Sequence, residues 1–412
     1  MIHGQCTSVG VGGYILGGGV NVVGTSERYG SAADHVERFT MVDAKGRILL
    51  VSKGNTSIVD PDSGQAIYQL PLDFGLFEAM GGAGSSYGIV TEFLYRIYSR
   101  PETQPVLSMI YIETPKDLRR LEQAAQDGRF HVTWFSFYLF RDVSITENPI
   151  SFFGIKVLPK ILKSMAMKRI EPLFIHLVDN NPNAGTYTNR RKARNFLEEY
   201  GIKMANWLLL DETTAMYRIF ANILPNMLQL TDYEEQYMTP AEIKKRGFQG
   251  IVSANLMGLS SQHILDDFIF NHTVFGLKNK ESEFARQAGC DFCCLVVGSS
   301  SRSPKNPIFK LTQTGKYQMD LTCNYPPNVG SRCPTVLKNI KEKFQRKAIK
   351  LGDSPTQYAN TPSCDINSKF QNRYYNPGVY DRLLKTKNLW DPDNIFNHCQ
   401  SIGNQDENCC PS

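Results

Sequence analysis

The sequence predicts an α+β protein of two unlike parts, and three observations carry that prediction. Residues 1–100 are punctuated by two glycine-rich stretches, at 10–19 and 81–88. Around Arg100-Pro101 that style stops, and residues 101–350 alternate strand-like and helix-like hydrophobic periods. The chain has 412 residues, room for about two or three domains. Strands interleaved with helices over 101–350 read as an antiparallel sheet with helices gathered on one face.

In chain order, residues 38–43 and 47–51 form a strand pair, with Ala44-Lys45-Gly46 supplying the turn chemistry between them. A polar loop follows, and residues 74–80 read as a short helix. The second glycine-rich stretch then runs into a β-branched strand at 89–93. Residues 106–113 alternate like a strand with one buried face. Thr114-Pro115 starts a helix with Leu118, Leu121 and Ala125 on one side, and Gly128 ends it. Strands are expected at 131–138, 173–178, 292–297 and 317–325, and a polar helix at 190–200 stopped by Gly201. His176, on an apolar strand, reads as a core residue. A later helix carries Val336, Ile340 and Phe344 on one face, and its lysines form the solvated side.

Composition excludes little but bounds much. A formal charge of +5 over this length does not call for nucleic acid. No apolar run reaches the ~18 residues that cross a bilayer, so no membrane partner is expected. Ten cysteines, nine of them crowded into the last third, and the sequons at Asn55 and Asn271 point to disulfides, glycosylation and a secreted protein. Cys290-Asp291-Phe292-Cys293 has CxxC spacing, but no second pair completes a zinc site. No charged leader followed by an apolar stretch opens the chain.

Six of the fourteen residues from Cys6 to Gly19 are glycine, a density that suits close backbone approach to a flat or charged ligand. A dinucleotide-type cofactor is the natural candidate, and a mobile glycine-rich tail is the alternative. The Rossmann spacing fails, because a fingerprint starting at Gly10 needs glycine where Ile15 stands. The Walker A pattern fails too, since no Gly-Lys-Ser/Thr closes the stretch.

Four pieces of text resemble one family. They are Gly4-Gln5-Cys6-Thr7-Ser8-Val9-Gly10-Val11-Gly12-Gly13 with Gly17-Gly18-Gly19, then Arg28-Tyr29-Gly30-Ser31-Ala32-Ala33-Asp34, then Tyr358-Ala359-Asn360, and finally 380–402 with Asp391-Pro392-Asp393-Asn394-Ile395-Phe396-Asn397. Together they are similar to the berberine bridge enzyme-like FAD-linked oxidases, of the vanillyl-alcohol oxidase or PCMH type of flavin fold. The resemblance implies a FAD-binding unit, second lobe, over 1–100, a substrate-binding α+β domain over 101–350, and a segment 351–412 returning to the FAD unit. It implies cofactor contacts at Cys6, Val9, Gly10, Gly12, Gly13, Tyr14, Gly17 and Gly18, at Gly84, Gly88, Ile89 and Val90 of the second glycine-rich stretch, and at Asn360 and Asn397. Cys6 matches the cysteine that bonds flavin C6. The family's first lobe and its histidyl flavin link have no counterpart in this text, so the FAD domain is expected to be incomplete at its N-terminus.

Residues two apart on a strand share a face, so Tyr358 and Asn360 are expected to look at the flavin together, with Tyr358 as proton acceptor. An unperturbed tyrosine has a pKa of ~10, so a cation or a hydrogen bond to the phenolate has to lower it. The implied reaction takes hydride from a C–H bond of an alcohol, carbohydrate or related small molecule to flavin, with O2 as acceptor. Two departures stand against the family pattern: Tyr14 replaces a common histidine, and Asn324 stands at the nearest match to a Glu or Gln of the substrate domain. An inactive fragment, or a secreted carbohydrate-binding protein that kept the fold, are the other readings.

Overall fold

The computed structural model describes residues 10–19, 30–70, 75–97, 106–112, 115–139, 171–179, 189–202, 250–259, 292–299, 317–325, 333–351, 356–360 and 370–404. Two antiparallel sheets organise them, and the fold is α+β as expected.

The first sheet contains β1 (Val36–Val42), β2 (Ile48–Ser52), β3 (Asn55–Val59), β4 (Ala66–Leu70) and β5 (Ile89–Tyr95), in the order β4-β3-β2-β1-β5. Alternation fixes its inner face. Phe39 and Met41 of β1 are buried and stand opposite Val51 and Leu49 of β2, which are buried too. Phe39 meets Phe77 and Phe93 edge-on at centroid distances of 5.5 and 5.6 Å. The β1–β2 turn is drawn tight by Asp43, whose Oδ1 accepts from the backbone N–H groups of Lys45 and Arg47, both at 2.9 Å.

Three expectations are corrected here. The polar loop after β2 contains β3 and β4; its short polar text hid a strand in which Thr56, Ser57 and Val59 are buried. The first glycine-rich stretch is in part a helix, α1 (Val11–Leu16). Among its glycines only Gly18 and Gly19 adopt positive φ, at 101° and 69°. In the second stretch Gly81 and Gly82 belong to α2 (Leu76–Ala83), which buries Leu76, Ala79 and Met80.

These inner faces share one core with the C-terminal segment. Phe370 and Tyr374 of α6 (Phe370–Tyr374), Val379, Leu383 and Trp390 of α7 (Val379–Trp390), and Ile402 pack with Tyr14, Ile15, Leu76, Met80, Phe39 and Met41. Chain ends more than three hundred residues apart therefore meet around β1 and β2.

The second sheet joins β6 (Val106–Ile112), β7 (Phe130–Leu139), β8 (Glu171–Asp179), β9 (Gly250–Leu259), β10 (Phe292–Ser299) and β11 (Tyr317–Tyr325), in the order β6-β8-β7-β10-β11-β9. The expected strands are all present, and β9 is additional. Helices α3 (Pro115–Gln126) and α4 (Asn189–Glu199) lie against its β6-β8-β7 side, burying Leu121, Ala124, Ala193, Phe196 and Leu197 near Val132, Ile175 and Leu177. Helix α5 (Cys333–Lys350) packs on β9 and β11. Asp127, Arg129, Glu199 and Tyr200 tie the α3–β7 turn to the end of α4: hydrogen bonds from Arg129 and Tyr200 hold the Asp127 carboxyl down at about 2.

Gly88, just before β5, shows how closely the first sheet is built. A Cβ there would stand 2.3 Å from Met41 Cε and 2.5 Å from the Val42 carbonyl oxygen. The methionine can move, but the backbone oxygen cannot. Gly88→Ala is therefore expected to destabilise the chain by about 1–3 kcal/mol through overpacking. Urea unfolding of the full chain checks this, and an unchanged midpoint rejects the packing argument.

Candidate active site

The glycine-rich text around α1 is held from three sides. Helix α1 begins at Gly10, whose carbonyl accepts from Tyr14 N at 3.1 Å. At its end, Gly18 and Gly19 turn left-handed and their carbonyls accept from Ala33 N and Ala32 N at 3.1 and 2.8 Å. The Ser31–Asp34 text thus lies directly on the first stretch, with Ser31 N donating to Asp34 Oδ2 at 3.0 Å. Helix α1 also packs on α2: a Cβ at Gly84 would fall 2.5 Å from Leu16 Cδ2.

The third side is the Tyr-x-Asn text. The Asn360 amide nitrogen donates to the Tyr14 carbonyl at 3.0 Å and to Tyr358 Oη at 2.8 Å. A Cβ at Gly17 would stand 1.6 Å from Asn360 Oδ1, so only glycine lets Asn360 sit there. The expected strand is absent here: residues 359–360 form a turn, Tyr358 is buried and Asn360 is exposed, and the hydrogen bond between their side chains, not a shared strand face, brings them together. Four residues singled out in the sequence, Tyr14, Gly17, Tyr358 and Asn360, are one contiguous group.

The second glycine-rich stretch is clasped by the C-terminal segment. Lys387 is 2% exposed, and its Nζ donates to the Ser86 carbonyl at 2.6 Å, to Asp391 Oδ2 at 2.5 Å and to the Phe396 carbonyl at 2.9 Å. Asp391 in turn accepts from Ile395 N at 2.8 Å and Phe396 N at 2.9 Å. Burial opposes its charge, but Lys387 and those two N–H groups win and hold its carboxyl below the usual range. Tyr87 donates to the Leu383 carbonyl at 2.9 Å, and Ile402 N donates to Ser86 Oγ at 3.0 Å. Burial, reinforced by Tyr375 and Tyr380, pushes the Tyr87 hydroxyl far up, so it stays a neutral donor. His398 Nδ1 lies 2.8 Å from the Cys399 carbonyl and must donate to it; Nε2 then accepts from Ser85 Oγ at 3.0 Å.

The remaining expected site residues divide. Cys6 and Val9 lie outside the described residues. Gly10 and Gly13 are exposed and Gly12 half-buried, and no described residue stands within 4 Å of where a Cβ on any of them would be. Gly88 faces the sheet, Ile89 is exposed, and Val90 is half-buried on β5. Asn397 is exposed and accepts from Ser401 Oγ at 3.0 Å, between Phe396, whose carbonyl accepts from Lys387, and His398, which reaches Ser85. Asn324 lies on β11, opposite Phe292 and Ile251. Sequence reading missed Ser85, Ser86, Tyr87, Lys387, Asp391 and His398. Their signal was position: each stands inside text already singled out, or, for His398, directly beside it.

The space that the described residues leave over Gly10, Gly12 and Gly13 fits a flavin-type cofactor. The glycines leave room for a flat group, and the backbone N–H groups at the start of α1 are uncommitted within the helix. Gly17, Gly19, Gly84 and Gly88 stand where a Cβ would meet protein atoms at less than 3 Å. Among the described residues no His/Cys/Asp/Glu group could hold a metal, and no helix is long and apolar enough to cross a membrane.

Comparison with known proteins falls on the same text. The family model "Berberine and berberine like" matches residues 357–403. The chain is 25% identical over 425 residues to "Berberine bridge enzyme-like 24" of Arabidopsis thaliana, covering 97% of this chain and 66% of that protein. It is 21% identical over 417 residues to "FAD-linked oxidoreductase easE" of Claviceps purpurea, covering 98% of this chain and 72% of the relative. Among solved structures, the xylooligosaccharide oxidase from Myceliophthora thermophila C1 in complex with xylobiose superposes with a TM-score of 0.63 at 16% identity, covering 98% of this chain and 73% of that one. The chain thus spans about two thirds of the length of the Arabidopsis relative.

Proposed function

We propose that this chain, whose family is that of the berberine bridge enzyme-like, FAD-linked proteins, is a FAD-dependent oxidoreductase that oxidises a C–H bond of an alcohol, carbohydrate or related small molecule. The observation that carries the reading is the seat of Tyr358 and Asn360 against the glycine-rich helix α1. The buried Tyr358 is thereby tied, through Asn360, to the Tyr14 carbonyl of α1, the helix that carries Gly12 and Gly13.

The chemistry a bound FAD supplies is hydride acceptance from the substrate carbon, with O2 as the onward acceptor. The chain's own residues do the rest. Gly10, Gly12 and Gly13 let the cofactor approach the backbone closely. Tyr358 takes the proton of the substrate hydroxyl, so that the electron pair of the C–H bond can leave as hydride. Asn360 holds the tyrosine oxygen in place. The Lys387–Asp391 pair holds the 85–86 turn, and Ser401 holds Asn397, the further cofactor contact the resemblance implies. The xylobiose complex of the structural neighbour supports a carbohydrate among the candidate substrates. Cys399 takes part in a disulfide, and Asn55 stands exposed on β3, both of which support a secreted glycoprotein.

Flavin loading tests the reading. Purified chain supplied with FAD should stay yellow after acid precipitation if Cys6, the match to the family's flavin-bonding cysteine, attacks the flavin ring as its thiolate. Mass spectrometry should then find the tryptic peptide Met1–Arg28 carrying the added mass of FAD. Flavin-loaded protein with that peptide unmodified rejects the cysteinyl bond alone. Failure to load any flavin rejects the cofactor assignment.

A further inference from the structure

The Tyr358 oxygen has a neighbour that bears on its charge. The Asn360 amide nitrogen carries two hydrogens and no lone pair for accepting, so in both of its contacts it donates. One partner is the Tyr14 carbonyl, an acceptor only, 3.0 Å away. That carbonyl fixes which way the amide is turned: the nitrogen faces it, and the amide oxygen points to the other side. There it lies against Gly17, where a Cβ would be 1.6 Å from it. The second hydrogen is consequently aimed at Tyr358 Oη, 2.8 Å away, and the tyrosine oxygen accepts.

We propose that Asn360 is a positioning residue that stabilises the phenolate of Tyr358 through this donated hydrogen bond, with Gly17 and the Tyr14 carbonyl as the jig that aims it. A hydrogen bond to the charged form favours that form, and the low-dielectric surroundings of a buried tyrosine strengthen the effect. No cation is required for this part of the activation. The inference deepens the assignment of Tyr358 as proton acceptor and rests on it, but its geometry can be tested separately.

Two substitutions break the jig from opposite sides. Asn360→Leu keeps the size of the side chain and removes the donor. Gly17→Ala leaves both Asn360 and Tyr358 in the sequence but occupies the amide's place; Gly17 has φ −93° and ψ 14°, which alanine can adopt. The first readout needs no cofactor: the full chain is labelled with tyrosine carrying 13C at Cζ, and the Tyr358 resonance is assigned by its loss in Tyr358→Phe. In both variants its ionisation midpoint should move up by about one to two pH units, the tenfold to hundredfold change in equilibrium expected when a hydrogen bond to a charged group is lost. The second readout is the pH profile of substrate-driven flavin reduction, whose rising limb should move by the same amount. Should Asn360→Leu fail to fold by circular dichroism, Gly17→Ala decides alone. A midpoint that stays put, or moves down, in the folded variants overturns the proposal. If instead Tyr358→Phe leaves flavin reduction unchanged, the proton-acceptor assignment falls, and the resonance midpoint still decides whether Asn360 stabilises the phenolate.

Discussion

Replacing Lys387 with methionine is expected to destabilise the folded chain by about 3–5 kcal/mol, because it leaves the buried Asp391 carboxylate without its cation. Lys387 and Asp391 have side-chain exposures of 2% and 0%. Methionine fills most of the volume of the lysine stem, so the loss is one of charge and hydrogen bonding and not of packing. Three acceptors lose their donor at once: the Ser86 carbonyl, the Phe396 carbonyl and Asp391. The first of these holds the C-terminal segment onto the second glycine-rich stretch, so flavin retention should fall together with stability. Urea unfolding followed through Trp390, buried at the end of α7, reads the first effect. A Lys387→Met variant within about 1 kcal/mol of the parent would show that the ion pair is dispensable. The double variant Lys387→Met with Asp391→Asn should recover part of the loss, since no uncompensated charge is then left behind.

The same pair sets a pH dependence. The Asp391 carboxyl is held below its ordinary value in the folded chain, so its contribution to stability is complete above the unfolded value of ~3.9 and is lost as pH falls through the lower folded value. In Lys387→Met the favourable partner is gone and burial remains, so protonation of Asp391 now relieves the folded state. The stability gap between parent and variant should therefore narrow as the solution is acidified. A gap independent of pH would mean that the lysine acts through packing alone.

How much of this was legible in the sequence depends on the range of the interaction that decides each feature. Local signals gave β1, β2, β5 to β8, β10, β11 and helices α3, α4 and α5, because alternation, caps and glycine stops act within a few residues. The hairpin β3–β4 was missed because its buried positions include Thr56 and Ser57, whose polarity argues for a loop until a neighbouring strand supplies partners. The glycines of the first stretch were read as free backbone. The structure divides them: Gly10, Gly12 and Gly13 have no described residue over them, while Gly17 is glycine because a side chain from residue 360 occupies its place. That reason lies 343 positions away, and no local pattern contains it. Likewise Lys387 stood in the C-terminal text with no role assigned to it. Only the spacing to Asp391, i to i+4, hinted at a pair, and nothing in the text said that the pair would be buried.

Tyr358→Phe is the substitution expected to slow the reaction most, by roughly 10²–10⁴-fold in flavin reduction, the usual cost of losing a general base. The phenylalanine ring keeps the packing of a side chain that is 7% exposed, so the fold and substrate binding should survive. What disappears is the oxygen to which Asn360 donates, and with it the acceptor for the substrate hydroxyl proton. The loss should fall on the rate of reduction at saturating substrate and leave the dissociation constant nearly unchanged, because proton transfer is made only in the transition state. Two effects keep the expectation below the upper end of the range. The Asn360 amide, left with one hydrogen unpaired, is exposed and can find water, and a water molecule at the vacated oxygen position can accept the proton less effectively. Stopped-flow reduction of the flavin-loaded variant by a genuine substrate measures the rate directly. A rate within a factor of a few of the parent would move the proton acceptor away from Tyr358, whereas weaker binding with an unchanged rate would make the tyrosine a substrate contact and not a base.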